Sequence, residues 1–515
     1  MNVQRFWVAV AVMAATIMQV LDTTIINVAL PHMTGELGAT NDSIAWVLTS
    51  YLMGSAVFMP LTGFFTDRLG RKKYLLLSIA GFVLTSGLCG ISTSLPEMVV
   101  FRLAQGVFGA SLVPLSQAIM VETFPVEARG KAMAIWGMGV MVAPIMGPTL
   151  GGYLTESISW RWTFYINLPV GIASLLLAAR FVPDTKVKPR SMDWIGFASL
   201  ATAIACLQLV LDRGADKDWF DSGMICAATA IAVLAFAAFL FKSLAMAGQP
   251  LFDLAVLKDR NFAVSCMIML STGIGVYGGQ LLLPLFLENV LGFPTEQAGL
   301  YLMPRGIATF ISMSLVGRFS NRFSLRSMIF AGMVLSFCGA WCMTRITPQA
   351  SGSIIFLPMI LQGFGMGLVF IPLSSLAFVT MPGRLAPEAA GLYSLMRSLG
   401  SSVGISIAAT YLNYSTKVSW VDLRAAITPY NPHIHQFLQG MGITAQYFYD
   451  ASGLHLNSMG AAMLAQFVGI QAMVKGYVAT FWLITSSFIA MMPLILLIHR
   501  PAKPVAADPA HMAME

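Results

Sequence analysis

Fourteen predominantly apolar runs, nearly free of charge and each about 20 residues long, recur along this chain, and a run of that length is what a helix needs to cross a bilayer. They cover residues 7–30, 44–65, 74–94, 98–120, 132–154, 164–182, 194–211, 222–242, 262–287, 298–317, 327–346, 353–378, 391–412 and 474–498. Lipid offers no partner to an open backbone N–H or C=O, so spans of this kind fold as helices. The chain is 57% hydrophobic and 10% charged, where a soluble domain carries about 25% charged residues. An all-α, polytopic membrane protein follows, and the even number of spans puts both termini on one side. The first run follows Arg5 as a signal peptide would, but it is too long and has no small-residue cleavage site before Asp22, so it reads as a retained helix.

Basic residues then set the orientation, because they favour the cytoplasmic side. With the N-terminus inside, twenty of the 30 Lys and Arg fall in cytoplasmic segments, seven in outer ones, and Arg102, Arg305 and Arg397 inside spans. Both termini are expected in the cytoplasm, and the net charge of +7 needs no nucleic-acid partner. The six cysteines all lie in spans, with no Cys-x-x-Cys pair and no neighbouring histidine, which argues against a disulfide framework or a zinc site. An enzyme is disfavoured too: no nucleophile, base and orienting group cluster, His32, His433, His435 and His455 lie outside the spans, and no Walker-type phosphate loop occurs.

The spans form an internal repeat. LTGFFTDRLGRKK from Leu61 is echoed by LVGRFSNRFSLRS from Leu315, an offset of 254 residues that aligns Gly63 with Gly317, Asp67 with Asn321 and Arg68 with Arg322. Pro31 and Pro284 lie 253 apart, Leu37-Gly38 and Leu291-Gly292 lie 254 apart, and Gln105 matches Gln362 at 257. Two parallel six-helix bundles follow, residues 1–185 and 261–500, with two further spans and linkers at 186–260 and a cytoplasmic tail at 501–515. Such parallel repeats belong to transporters whose halves rock about a midplane site. The largest extramembrane piece is the outer loop 413–473, which holds NPHIHQF and an apolar stretch, MGAAMLAQFVGIQAMV, suited to lying on the membrane surface or covering a partner.

LDTTIINVALP in span 1, GFFTDRLGRKK after span 2, RLAQGVFGAS in span 4, APIMGPTLGG in span 5 and LDRGADKDWF between spans 7 and 8 carry a resemblance over nearly the whole chain. The sequence resembles the fourteen-helix drug:proton antiporters of the major facilitator superfamily, specifically the EmrB-type pumps of the bacterial inner membrane. The resemblance implies a multidrug exporter of small hydrophobic drugs, driven by the proton gradient and needing no cofactor. It also implies a periplasmic membrane-fusion adaptor of the EmrA type and an outer-membrane channel as partners, engaged through loop 413–473. A dedicated exporter of one natural substrate (a fatty acid, a siderophore or an antibiotic) is a second reading, and a non-transporting membrane sensor a third.

Within that frame each motif has a plain reading and a functional one. In GFFTDRLGRKK, the basic cluster serves as a topology anchor, while the resemblance implies a conformational latch of Gly63, Asp67, Arg68 and Arg71, with Glu122 at the inner end of span 4 as its partner. In APIMGPTLGG, Ala143, Gly147 and Gly151 extend a small-residue stripe that lets helices touch, Gly152 follows, and Pro148 adds a kink. The resemblance makes this the antiporter motif, with Ala143 where the family has glycine.

Asp22 poses the sharpest question, because an ionisable group at the bilayer centre costs about 2.5–3.5 kcal/mol on insertion scales and so faces a cavity or a partner. At 1.5 Å per residue, Asp22 lies about 12 Å below the outer end of span 1 and Arg102 about 6 Å below the same surface, within mutual reach. A proton-coupling site, a static ion pair and a contact for cationic substrate are the three roles open to Asp22. Arg305 and Arg397 are second-half cations for which Glu288 is a candidate partner. Arg397 reads as structural, and Arg305 as either structural or a contact for acidic substrate. Depth along the spans places Gln19, Asn27, Trp46, Gln105, Phe108, Tyr277, Gln280, Phe286 and Arg305 as candidate walls of a substrate cavity, expected beside Asp22 and Arg102.

Overall fold

The computed structural model describes residues 3–185, 187, 192–245, 254–319, 322–347, 352–381, 385–425 and 458–499. Its spanning helices are α1 Val3–Glu36, α2 Trp46–Leu69, α3 Arg71–Ile91, α4 Leu95–Thr123, α5 Val126–Ser157, α6 Trp162–Phe181 and α7 Trp194–Arg213. They continue as α8 Gly223–Ala245, α9 Arg260–Asn289, α10 Thr295–Phe319, α11 Leu325–Met343, α12 Gly352–Val379, α13 Ala386–Ala425 and α14 Ser458–Met491. Among the described residues 13 are long and apolar enough to span a bilayer. The remaining helix, α13, contains the run 391–412, and its serines, glycines, Glu388 and Arg397 make it less apolar than the rest.

The packing repeats as the sequence does. Helix α1 packs on α5 and α6, α2 on α4, and α3 on α4; their counterparts eight helices on, α9 on α13 and α14, α10 on α12, and α11 on α12, pack likewise. The two Leu-Gly echoes close α1 and α9 in the same way, with Gly38 at φ +61° and Gly292 at φ +69°, a left-handed backbone that glycine adopts without a Cβ penalty.

Contacts between the bundles gather at the basic ends of the helices. A Cβ on Gly63 of α2 would meet Glu388 Cγ of α13 at 2.3 Å, and one on Gly391 would meet the Met59 carbonyl at 3.0 Å. On the other flank a Cβ on Gly317 of α10 would meet Ala134 Cβ of α5 at 2.7 Å, and Ser314 Oγ donates to Met138 Sδ at 2.8 Å. Thus the aligned glycines 63 and 317 each sit where one bundle touches the other.

The inserted pair straddles the two bundles. Gln208 of α7 donates to Ser402 Oγ of α13 at 2.8 Å, Trp219 Nε1 donates to Thr410 Oγ1 of α13 at 3.2 Å, and Arg213 lies 5.0 Å from the Trp46 ring of α2.

The outer loop expected at 413–473 is largely helical where it is described. Helix α13 runs 40 residues, about 60 Å at 1.5 Å per residue and twice a bilayer core of about 30 Å. The stretch expected to lie on the membrane or to cover a partner is instead the start of α14, continuous with its span. NPHIHQF lies outside the described residues. The α13–α14 pair is closely packed where α13 runs on beyond 412, a Cβ on Gly476 meeting Thr416 Oγ1 at 2.2 Å.

Candidate functional site

Asp22 and Arg102 meet, and both are fully buried. Arg102 Nη1 donates to Asp22 Oδ2 at 2.6 Å, while Gln105 Nε2 and Asn167 Nδ2 donate to Asp22 Oδ1 at 3.0 and 2.9 Å. The guanidinium is satisfied on its other sides: Nε donates to the Val47 carbonyl at 3.1 Å, Nη1 also donates to Gln105 Oε1 at 2.8 Å, and the Tyr51 ring stacks 4.3 Å from Cζ. Asn167 donates further to Ser86 Oγ at 3.1 Å, and Ser86 to the Phe164 carbonyl at 2.9 Å. One network thereby links α1, α2, α3, α4 and α6 inside the N-terminal bundle. Its hydrogen bonds are charge-assisted and water-excluded, the setting in which such bonds are strongest.

The sequence expectation of an Asp22–Arg102 pair beside a central cavity is corrected on one point. The pair lies in the interior of its own bundle, and Gln105, expected in the cavity wall, is a buried member of the network. Asn167, Tyr51 and Ser86 were missed, although each is a polar residue in an otherwise apolar span, the signal that identified Asp22.

The α5 stripe packs on α1 beside this network. A Cβ on Gly147 would meet Thr24 Oγ1 at 2.3 Å, one on Gly151 would meet the Ile25 carbonyl oxygen at 2.9 Å, and Thr24 Oγ1 donates to the Ala143 carbonyl at 3.4 Å. Gly152 has ordinary room, with Val28 Cγ1 at 3.9 Å. The side chain of Pro148 lies outside the described residues. At the basic end Arg71 forms an ion pair with Glu122, its backbone N–H donates to Thr185 Oγ1 at 2.9 Å, and Arg68 lies 5.9 Å from the Phe64 ring. Asp67 is half-buried, within electrostatic range of Arg71.

The remaining cavity candidates scatter. Gln19 donates to the Tyr51 hydroxyl at 2.9 Å and Asn27 is exposed. Three aromatics make helix contacts: Trp46 lies against Arg213, Phe108 packs on Gly81 of α3, and Phe286 is enclosed by Tyr477 and Phe481 of α14. Counting residues fixes a side chain's depth but not the direction it points.

Tyr277, Gln280 and Arg305 do share a region. Tyr277 lies in a π-helical turn, Gly273–Gly278, within α9, and Gln280 follows it. Wide turns of this kind recur at functional sites. The backbone of α13 presses on this turn, a Cβ on Gly273 clashing with the Gly400 carbonyl and one on Gly404 with the Gly273 carbonyl. Arg305 Nη2 donates to the Val276 carbonyl at 3.5 Å. Neither Arg305 nor Arg397 makes an ion pair among the described residues, and the candidate partner Glu288 lies near Tyr477 of α14.

Two six-helix bundles related by an internal repeat are the architecture of membrane transporters built from parallel repeats. The chain belongs to the Major Facilitator Superfamily, whose profile matches residues 12–405. It is 33% identical over 492 residues to the multidrug export protein EmrB of Escherichia coli (strain K12), covering 94% of each chain. It is 36% identical over 434 residues to the fatty acid resistance protein FarB of Neisseria gonorrhoeae, covering 84% of this chain and 85% of that one. Among solved structures, the human organic anion transporter MFSD10 (TETRAN) superposes with a TM-score of 0.63 at 15% identity, over 95% of this chain and 99% of that one. That likeness shows the fold alone. The chain is therefore a multi-pass membrane transporter of EmrB-like sequence.

Proposed function

We propose that the protein is a proton-coupled antiporter exporting hydrophobic and amphipathic compounds across a bacterial inner membrane, with both termini in the cytoplasm. The similarity to EmrB over 94% of both chains supports export. The observation that carries the coupling is the buried Asp22 carboxylate, on which Arg102, Gln105 and Asn167 converge.

In this reading the bundle is locked while Asp22 is ionised. A proton arriving on Oδ2 removes the negative charge and sets an O–H beside the Arg102 donor, which weakens the Arg102 bond and favours its release. The released guanidinium loosens α4 from α1, and the stripe at Gly147 and Gly151 transmits the shift to α5. Arg71 and Glu122, with Gly63 against Glu388, act as the cytoplasmic latch that holds the inner side shut in the outward-facing state. Loss of the acid from the repeat, where Asn321 stands for Asp67, makes the second latch the weaker. Proteoliposomes under an imposed pH gradient test the reading: uphill movement of a cationic dye supports it, and movement indifferent to the gradient refutes coupling.

The long α13–α14 hairpin on the outer side is the proposed contact for a periplasmic adaptor of the EmrA type, leading to an outer-membrane channel. Deleting the adaptor gene is expected to abolish resistance in cells and to leave flux in proteoliposomes intact. The 36% identity to FarB favours, as a second reading, a dedicated exporter of one natural lipid-like substrate. A resistance panel in a pump-deleted host separates the two by the breadth of compounds affected.

A further inference from the structure

Arg305 is a cation with almost nothing to hold it. The residue is 9% exposed, and among the described residues its Nε is buried without a partner and its single hydrogen bond is the long one to the Val276 carbonyl. Among the described residues no carboxylate lies within ion-pair distance of it. Arginine stays protonated in proteins, and an unpaired charge within an apolar bundle is expensive. The position is no relic of the repeat either: at the 254-residue offset its counterpart is Tyr51, a phenol. The first half's ion pair is missing from the second half, since Gly275 stands at the Pro31–Pro284 offset from Asp22, and Met359 at the Gln105–Gln362 offset from Arg102.

We propose that Arg305 is an anion-binding subsite that receives the carboxylate of amphipathic acids, and so determines which part of the exporter's substrate range is acidic. This rests on the export reading above. Arg305 lies ten residues into α10 from Thr295, about 15 Å deep at 1.5 Å per residue, the midplane level at which transporters of this class bind substrate. Its backbone is pinned from behind by α12, where a Cβ on Gly363 would meet the Arg305 carbonyl oxygen at 2.2 Å. The side chain therefore reaches toward α9, to the π-helical turn. There the half-buried Tyr277 lies within electrostatic range and offers a phenolic O–H as a further donor. Nη1 makes no hydrogen bond among the described residues, so it is the nitrogen left to an incoming ligand. A carboxylate accepts two parallel bonds from a guanidinium fork, and an alkyl tail would follow the apolar helix surfaces on either side.

The test is calorimetric titration of the purified full-length protein in detergent with decanoate and with decanol, which share a tail and differ in charge. Wild type is expected to bind decanoate at least about tenfold more tightly than decanol, the ratio that one charge-assisted bond supplies. Arg305→Gln should erase that preference with its thermal unfolding midpoint unchanged, and Arg305→Lys should restore part of it. If Arg305→Gln does not fold, the lysine variant decides: a preference reduced but present supports the subsite, and a full or absent preference overturns it. A wild type indifferent to the carboxylate, or a glutamine variant that keeps the preference, also overturns it. Ethidium flux by the wild type under a pH gradient is measured in parallel, so that failure of the export reading is told apart from failure of the subsite.

Discussion

Two buried arginines are treated in opposite ways by the two bundles. Arg102 has a carboxylate, an amide oxygen, a backbone carbonyl and an aromatic face, while Arg305 has one long bond to a carbonyl. A satisfied charge rigidifies the helices around it, and an unsatisfied one waits for a partner from outside. In the proposed reading, the N-terminal bundle holds an ion pair that protonation breaks, and the C-terminal bundle a cation that an acidic ligand fills.

Substitution should expose that difference as opposite signs. Arg102→Ala strands Asp22 as a buried charge, and breaking such a pair costs about 3–5 kcal/mol; a large fall in the thermal unfolding midpoint in detergent, or no folded protein, is expected. Arg305→Leu removes an unpaired charge and should leave the midpoint equal or higher. Equal falls for the two variants would erase the contrast. Next in size is Gly147→Val, whose added carbons meet Thr24; overpacking of this kind costs about 1–3 kcal/mol, and disulfide cross-linking between cysteines placed in α1 and α5 should report their separation. Gly63→Leu intrudes on Glu388 and is expected to impair flux several-fold while the protein still folds, since it opens a contact between bundles and not within one. The smallest effect belongs to Gln208→Leu, which loses the bonds to Ser402 and Asp212, worth about 1 kcal/mol each, and lowers stability without changing the Asp22 network.

What could be read from the sequence divides along a physical line. Span number, repeat and depth are one-dimensional properties, so the fourteen helices, the alignment of glycine 63 with glycine 317 and the mutual reach of Asp22 and Arg102 were legible. Azimuth is not, because a helix rotated by 100° per residue shows the same apolar composition to lipid, neighbour or cavity; hence the contacts of Trp46 with Arg213, of Phe108 with Gly81 and of the buried Phe286 with Tyr477 and Phe481 could not be read from depth. Gln105 was misplaced for the same reason, though by one face only: it lies three residues from Arg102, on the side that turns toward α1. Asn167 escaped because one amide near a helix end has no charge to demand a partner. The length of α13 and α14 was hidden as well, since residues 413–425 and 458–473 are less apolar than the spans they extend.

The coupling role of Asp22 is tested most directly by Asp22→Asn in proteoliposomes loaded with dye. Asparagine keeps the shape and much of the hydrogen bonding but holds neither the charge nor the exchangeable proton. The account predicts that this variant loses uphill export under a pH gradient and retains counterflow exchange of dye for dye. Uphill export at the wild-type rate would contradict it.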